Sequence, residues 1–215
     1  MMIKYGLLVV AYLLGAIPFG FVIGKIKGVD IREHGSKNIG TTNTGRVLGN
    51  KYAIITYVLD TFKGFIIVFL FRFNIIPSEY CFLSPMIYGL FAILGHTFSI
   101  YLKFKGGKAV ATSGGVILGY CPWLLLIALI IFFLVTYLSS YVSLGSLISA
   151  SFVTIIVVIM TFIGYDYILA KDIDIYFAIV SLISLSVIYF RHLSNIKRLY
   201  HHQEAKIKWG RKNSQ

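Results

Sequence analysis

Charge is what this sequence has least of. Only 13% of its 215 residues are Asp, Glu, Lys or Arg, about half the roughly 25% of an ordinary soluble domain. Hydrophobic residues make up 58% and the mean hydropathy is +0.82. One water-soluble core of this size could not hide so much apolar surface. A soluble enzyme is therefore excluded, and a disordered chain with it. Cysteine is scarce as well: Cys81 and Cys121 match no metal or redox spacing, receive no role, and exclude a disulfide-stapled scaffold. What remains is a single-domain integral membrane protein spanning 1–215. At about 20 residues per transmembrane helix, seven spans would use roughly 140 of those positions.

The few charges are lopsided, with 20 Lys plus Arg against 8 Asp plus Glu. They sit in short loops between apolar runs, as cytoplasmic loops require, and this pattern argues against nucleic acid as the partner. Anionic lipids and anionic substrates also fit it. The apolar runs are Ile3 to Ile23, Tyr52 to Phe71, Met86 to Tyr101, Val110 to Gly164 and Ile173 to Phe190. The first is too long for a signal peptide and lacks a cleavage site, so it reads as a retained span. The fourth is about 80 Å of helix, far beyond one bilayer. The basic stretches Lys25–Lys51, Lys103–Lys108 and Arg191–Lys212 should share the cytoplasmic side. Parity then puts three helices into the long run, with breaks at Cys121-Pro122 and around Ser139 to Ser143. The first of the three is short. This predicts an all-α protein of seven transmembrane helices, N-terminus outside and C-terminus cytoplasmic. The loop with Asp166, Lys171, Asp172 and Asp174 falls outside.

Polar chemistry is concentrated in three loops on the basic side. The first runs Gly35-Ser36-Lys37-Asn38-Ile39-Gly40-Thr41-Thr42-Asn43-Thr44-Gly45-Arg46. Glycines let backbone N–H groups approach an anion, hydroxyls and amides add donors, and Arg46 offers a bidentate fork. The composition suits phosphate, although a solvated turn would look similar. The second, Lys103-Phe104-Lys105-Gly106-Gly107-Lys108, precedes a helix start, so free N–H groups and the positive helix end should point where Lys108 points. No Walker A spacing exists, so nucleotide hydrolysis is not indicated.

The third cluster, Arg191-His192-Leu193-Ser194-Asn195, puts His192 and Asn195 on one helix face. Lys197 and Arg198 read as interfacial anchors. His96 supplies a second imidazole near the same level. Asp60 and Lys63, three residues apart within a span, most simply neutralise each other. Carboxylates on the inner face are few (Asp30, Glu33 and Glu204, with Asp60 inside a span), which is poor provision for a two-metal site. Metal-free chemistry is therefore expected, and no nucleophile elbow is present.

Together these loops resemble the bacterial membrane glycerol-3-phosphate acyltransferases that use acyl phosphate as donor, the PlsY family. The resemblance rests on Gly35 to Asn43 with Arg46, on Gly95-His96-Thr97-Phe98, on Lys103 to Gly115, and on Arg191-His192, Asn195 and Glu204. Asp60-Thr61-Phe62-Lys63-Gly64 also looks like a family feature, while Lys37 stands where many members have glycine. It implies a seven-helix enzyme of the bacterial cell membrane, with its active site on the cytoplasmic face. That enzyme makes lysophosphatidic acid and inorganic phosphate from glycerol 3-phosphate and acyl phosphate, without a cofactor.

Acyl phosphate is already activated, so neither an enzyme nucleophile nor a metal is required. Ser36, Arg46, Lys108, His192 and Asn195 are the expected catalytic residues. Asn38, Gly40, Thr41, Thr42, Asn43, His96, Lys105, Gly106, Gly107 and Ser143 are expected to bind substrate phosphate, with Ser146 a further donor. Arg46, Lys108 and loop N–H groups would stabilise developing charge. The proton leaving the attacking hydroxyl has three possible acceptors: His192, His96 or a substrate phosphate with a second pKa near 6. The rival reading is a transporter of phosphate or organophosphate anions. Transporters usually place polar groups near the midplane and often show paired repeats, and neither is visible here.

Overall fold

A computed structural model describes residues 2–80, 83–163 and 173–207, and every regular element among them is helical. The helices are α1 (Met2–Ala16), α2 (Phe19–Ile26), α3 (Thr41–Leu48), α4 (Asn50–Arg72), α5 (Pro85–Thr97), α6 (Val110–Tyr120), α7 (Pro122–Ser139), α8 (Val142–Ile163) and α9 (Ile175–Tyr200). Five of these stretches are long and apolar enough to cross a membrane, and the α1–α2 pair is a sixth if taken as one span. Exposed Leu126, Ile130, Phe133, Leu134 and Leu138 line α7. A helix this apolar and this uncovered needs hydrocarbon, not water, around it.

The long apolar run breaks where expected. Pro122 opens α7 at a position where its missing N–H costs nothing. Ser140, in the left-handed region at φ 63°, closes that helix. The first apolar run, expected as a retained span, bends by 44° between α1 and α2. The helix breaks at Pro18, and the carbonyls at the break lose their helical partners. Such groups need internal partners. Ser99 Oγ donates to Ala16 O at 2.6 Å and Lys63 Nζ to Ile17 O at 2.9 Å. The first basic loop departs from a plain turn too, since it contains α3. Asp166, Lys171 and Asp172 lie outside the described residues, as does Cys81; Cys121 is buried.

Close helix packing holds the bundle together. A Cβ at Gly115 of α6 would collide with the Thr61 carbonyl of α4, and one at Gly64 of α4 with the Thr112 carbonyl of α6. Small residues let helices approach closely where hydrocarbon offers no hydrophobic drive. A core of Val68, Met86, Ile93, Val116, Leu124 and Phe177 then joins five helices. Helix α9, with 26 residues, is about 39 Å long against a hydrocarbon thickness of about 30 Å. Its last turns therefore carry side chains beyond the apolar layer.

Candidate active site

A cleft of about 370 Å³ opens at the end of the bundle where α9 finishes; Ser36, Asn38, Lys108, Arg191, Asn195 and Arg198 supply its polar lining, and Phe190 and Leu193 its apolar wall. All three loops contribute. Arg191, Asn195 and Arg198 recur at helical spacing and so share one face of α9.

Lys108 is the cation at the centre. Its Nζ donates to Asn195 Oδ1 at 2.6 Å. Asn195 Nδ2 in turn donates to Glu204 Oε1 at 2.6 Å, and the same carboxylate accepts from Ser143 Oγ at 2.9 Å and Arg198 Nε at 2.7 Å. Burial pushes the Lys108 ammonium down to about 8; Glu204 opposes that, while Arg198, Arg46 and Arg191 add to it. Burial raises the Glu204 carboxyl, but hydrogen bonds from Asn195, Arg198 and Ser143 outweigh it and leave the group below its ordinary value. Among the described residues the centre is strongly electropositive, and the Glu204 carboxylate is already engaged. Such a site recruits an anion.

The first loop is shaped by Asn43. Its Nδ2 donates to Ile31 O at 2.9 Å and His34 O at 3.2 Å, and its Oδ1 accepts from Ser36 N at 2.7 Å. Expected to bind phosphate, Asn43 is instead buried and fully engaged by the loop it folds. That engagement leaves Ser36 exposed at the cleft, with Asn38 beside it. Asn38 Oδ1 accepts from Gly40 N at 2.9 Å, and Thr41 and Thr42 begin α3. Arg46, one turn further, is exposed and, among the described residues, reaches Ala205 O at a long 3.5 Å. Its guanidinium is accordingly loosely held.

The second loop corrects another expectation. Gly106 N donates to Thr97 O at 3.0 Å and Gly107 N to His96 O at 2.9 Å, capping the carbonyl end of α5. These N–H groups are not offered to an anion. Arg191 clamps the same glycines from the other side, with Nε on Gly107 O at 3.0 Å and an Nη on Gly106 O at 2.6 Å. Both glycines lie against α5 so tightly that any side chain would collide, at Gly107 with the His96 ring itself. Lys105 is exposed and outside the cleft lining.

The two imidazoles part company. His96 is buried in the bundle, with Nδ1 2.8 Å from Lys63 Nζ and 3.6 Å from Asp60 Oδ1. It belongs to a buried triad with Lys63 and Asp60 and does not line the cleft. His192 is buried one turn before Asn195, with Nδ1 2.8 Å from Ile188 O. A carbonyl only accepts, so Nδ1 carries the hydrogen and Nε2 keeps a free lone pair. Ser146 donates to Val142 O within its own helix. Among the described residues, no three His, Cys, Asp or Glu side chains converge in a way that could hold a metal. Asp30 pairs with Arg32 at 2.6 Å and Lys25 at 3.1 Å, and the Arg32 contact holds its carboxyl well below the usual range.

The profile of glycerol-3-phosphate acyltransferases matches residues 5–202, which is nearly all of this helical framework and every cleft residue. The chain belongs to that family. It is 48% identical over 209 residues to a glycerol-3-phosphate acyltransferase of Staphylococcus carnosus, covering 94% of this chain and 97% of the relative. The corresponding protein of Staphylococcus haemolyticus is 50% identical over 208 residues, with the same coverage. Crystal structures of PlsY (YgiH), an integral membrane glycerol 3-phosphate acyltransferase, superpose with TM-scores of 0.82 for the glycerol 3-phosphate form and 0.80 for the lysophosphatidic acid form. Each is 32% identical; the superposition covers 95% of this chain and, respectively, 96% and 95% of the other. The protein is an integral membrane acyltransferase.

Three acyltransferase residues carried no site role on sequence grounds. Arg198 was expected as a headgroup anchor, yet it lines the cleft and holds Glu204. Arg191 belongs to the third cluster and to the family resemblance, without a binding role of its own, and the structure makes it the clamp on Gly106 and Gly107. Glu204 stands in the sequence as an inner-face carboxylate and a residue of the family resemblance, and its position as the common acceptor of three side chains follows from the way the segment after α9 folds back. For Arg191 and Arg198 a signal was present, namely their helical spacing with Asn195.

Proposed function

We propose that this protein acylates glycerol 3-phosphate from acyl phosphate at the cytoplasmic face of a bacterial membrane, releasing lysophosphatidic acid and inorganic phosphate. The observation that carries the reading is Lys108 held on Asn195 in the lining of the cleft in a chain of this family. The glycerol hydroxyl oxygen bonds to the acyl carbon while the bond from that carbon to the phosphate oxygen breaks. The leaving phosphate takes the electron pair. The hydroxyl proton passes to a substrate phosphate, whose second pKa near 6 suits it as acceptor at neutral pH. His96, buried beside Lys63, takes no part in that transfer. His192 and Asn195 orient glycerol 3-phosphate, and Arg46 swings from Ala205 to a phosphate. Lys108 and Arg46 stabilise charge as the tetrahedral oxyanion and the phosphate develop. No metal enters, because the local carboxylates are already paired.

Seven crossings fit this chemistry. Helix α6 has only 11 residues, yet Lys108 just before it meets Asn195 of α9 and Tyr120 at its end meets Asp174, the N-cap of α9. Those contacts are 21 residues apart, about 32 Å along a helix. Counting α1–α2 and α6 as one span each leaves Met2 on the side opposite the cleft. The described parts of all three basic stretches then share the cleft side, as a cytoplasmic face requires. The transporter alternative is disfavoured by this one-sided placement and by family membership.

The deciding assay gives purified protein glycerol 3-phosphate with acyl phosphate, acyl-CoA or acyl carrier protein in turn, each with a strong chelator. Product from acyl phosphate alone is expected; product only from another donor, or only with added magnesium, overturns the scheme. In a background with Cys81 and Cys121 replaced by Ser, Glu79→Cys should label from outside the cell and Ser194→Cys should not. Labelling of Ser194→Cys from outside would put the site on the wrong face.

A further inference from the structure

The Asp60–Lys63 pair does more than neutralise itself. Both side chains are almost fully buried, 3% and 4% exposed, and Lys63 Nζ lies 2.7 Å from Asp60 Oδ1. An ammonium has three N–H bonds. Two of them meet Ile17 O at 2.9 Å, at the α1–α2 break, and His96 Nδ1 at 2.8 Å. Lys63 thus ties three elements together, by an ion pair to Asp60 on α4 and hydrogen bonds to Ile17 O at the α1–α2 break and to His96 on α5. Because His96 Nδ1 accepts, its ring is fixed in rotation and presents its other edge toward Gly107.

From His96 the path to the cleft is short. The His96 carbonyl takes the Gly107 N–H, and the His96 ring fills the space where a Gly107 side chain would stand. Arg191 presses the glycine pair from the opposite side. The next residue is Lys108, its Nζ on Asn195. Gly107 thus lies between an imidazole floor and a guanidinium clamp, and the level of the floor decides where Lys108 emerges.

We propose that Lys63 is a positioning residue for acyl transfer, acting through His96 and Gly107 to set the place of Lys108 against Asn195. It rests on the reading of Lys108 as the anion-binding cation of the acyltransferase site. Lys63 does not line the cleft. A misplacement of about 1 Å at a reacting group can cost roughly 100-fold in rate, so a support this far back has leverage over turnover.

The test reads Lys108 directly, without substrate. The rate at which Lys108 reacts with an amine-acylating reagent is followed against pH by mass spectrometry of its peptide. Charged groups facing it are Arg46 on α3, Arg191, His192 and Arg198 on α9, and Glu204 beyond, and the variants leave all of them intact. In the full-length wild type the inflection should lie near 8. In Lys63→Met it should move up by at least one pH unit, toward solvated lysine, and turnover should fall at least tenfold. If Lys63→Met does not fold, His96→Gln keeps an acceptor for Lys63 but removes the ring beneath Gly107, and should shift Lys108 in the same direction. An inflection unchanged in whichever folded variant is measured overturns the proposal. A wild type that transfers no acyl group would instead sink the functional reading, and the labelling result would still report on the support.

Discussion

Lys108 donates its ammonium to the amide oxygen of Asn195 at 2.6 Å, and not to the Glu204 carboxylate that Asn195 itself holds at 2.6 Å. A carboxylate in direct contact would neutralise the cation and compete with an incoming phosphate. An amide fixes the ammonium while leaving its charge available. Glu204 therefore braces the site at one remove.

This arrangement sets a pH dependence. Burial holds Lys108 at about 8, so it is charged below that pH and neutral above it. Glycerol 3-phosphate is dianionic well above its second pKa near 6. Lost anion binding should therefore make kcat/KM for glycerol 3-phosphate fall as pH rises through about 8, tenfold per unit at the limit. Arginine stays charged throughout, so Lys108→Arg should lower activity but remove that descending limb. Steady-state profiles from pH 6 to 10 check this, and an unchanged limb in the variant would assign it to another group.

Arg46 is exposed and holds Ala205 O only at 3.5 Å, so little opposes its turning to a phosphate. Arg46→Lys keeps the charge and loses the planar fork. The expected cost is about 2 kcal/mol, roughly 30-fold in kcat/KM. Kinetics with glycerol 3-phosphate and acyl phosphate varied in turn show which phosphate it grips.

His192 has Nδ1 on Ile188 O, which orients Nε2 as an acceptor for a substrate hydroxyl. With the substrate phosphate taking the proton, His192→Asn should mainly raise the KM for glycerol 3-phosphate, because ground state and transition state lose the contact alike. A variant with normal saturation and turnover reduced by about 100-fold or more would make His192 the general base.

Gly115 lets α6 lie against the Thr61 carbonyl of α4. Gly115→Ala should force the helices apart and destabilise the fold by about 1–3 kcal/mol. Gly6→Ala, with nothing within 4 Å of its new methyl, serves as the control. Thermal unfolding in detergent separates the two. Because α6 begins two residues after Lys108, activity should fall along with stability in the first variant only.

Membrane residence, the breaks at Pro122 and Ser140, and the three loops that supply the cleft were all legible in the chain. Run length, helix breakers and loop charge are local properties, and a bilayer reads them locally. Pro18 carried the same kind of signal for the α1–α2 bend, hidden inside an apolar run that could pass for one span. Tertiary structure alone decided which donor meets which acceptor. Composition offered Asn43, Gly106 and Gly107 to an anion, and the fold engaged them with backbone carbonyls first. It drew His96 inward to Lys63 and brought Arg198 and Glu204 to the site. The pairing of Lys108 with Asn195 joins positions 87 residues apart, and that of Ser143 with Glu204 joins positions 61 apart. Residue types specify the groups that need partners, but only the packed bundle brings a particular pair within 3 Å.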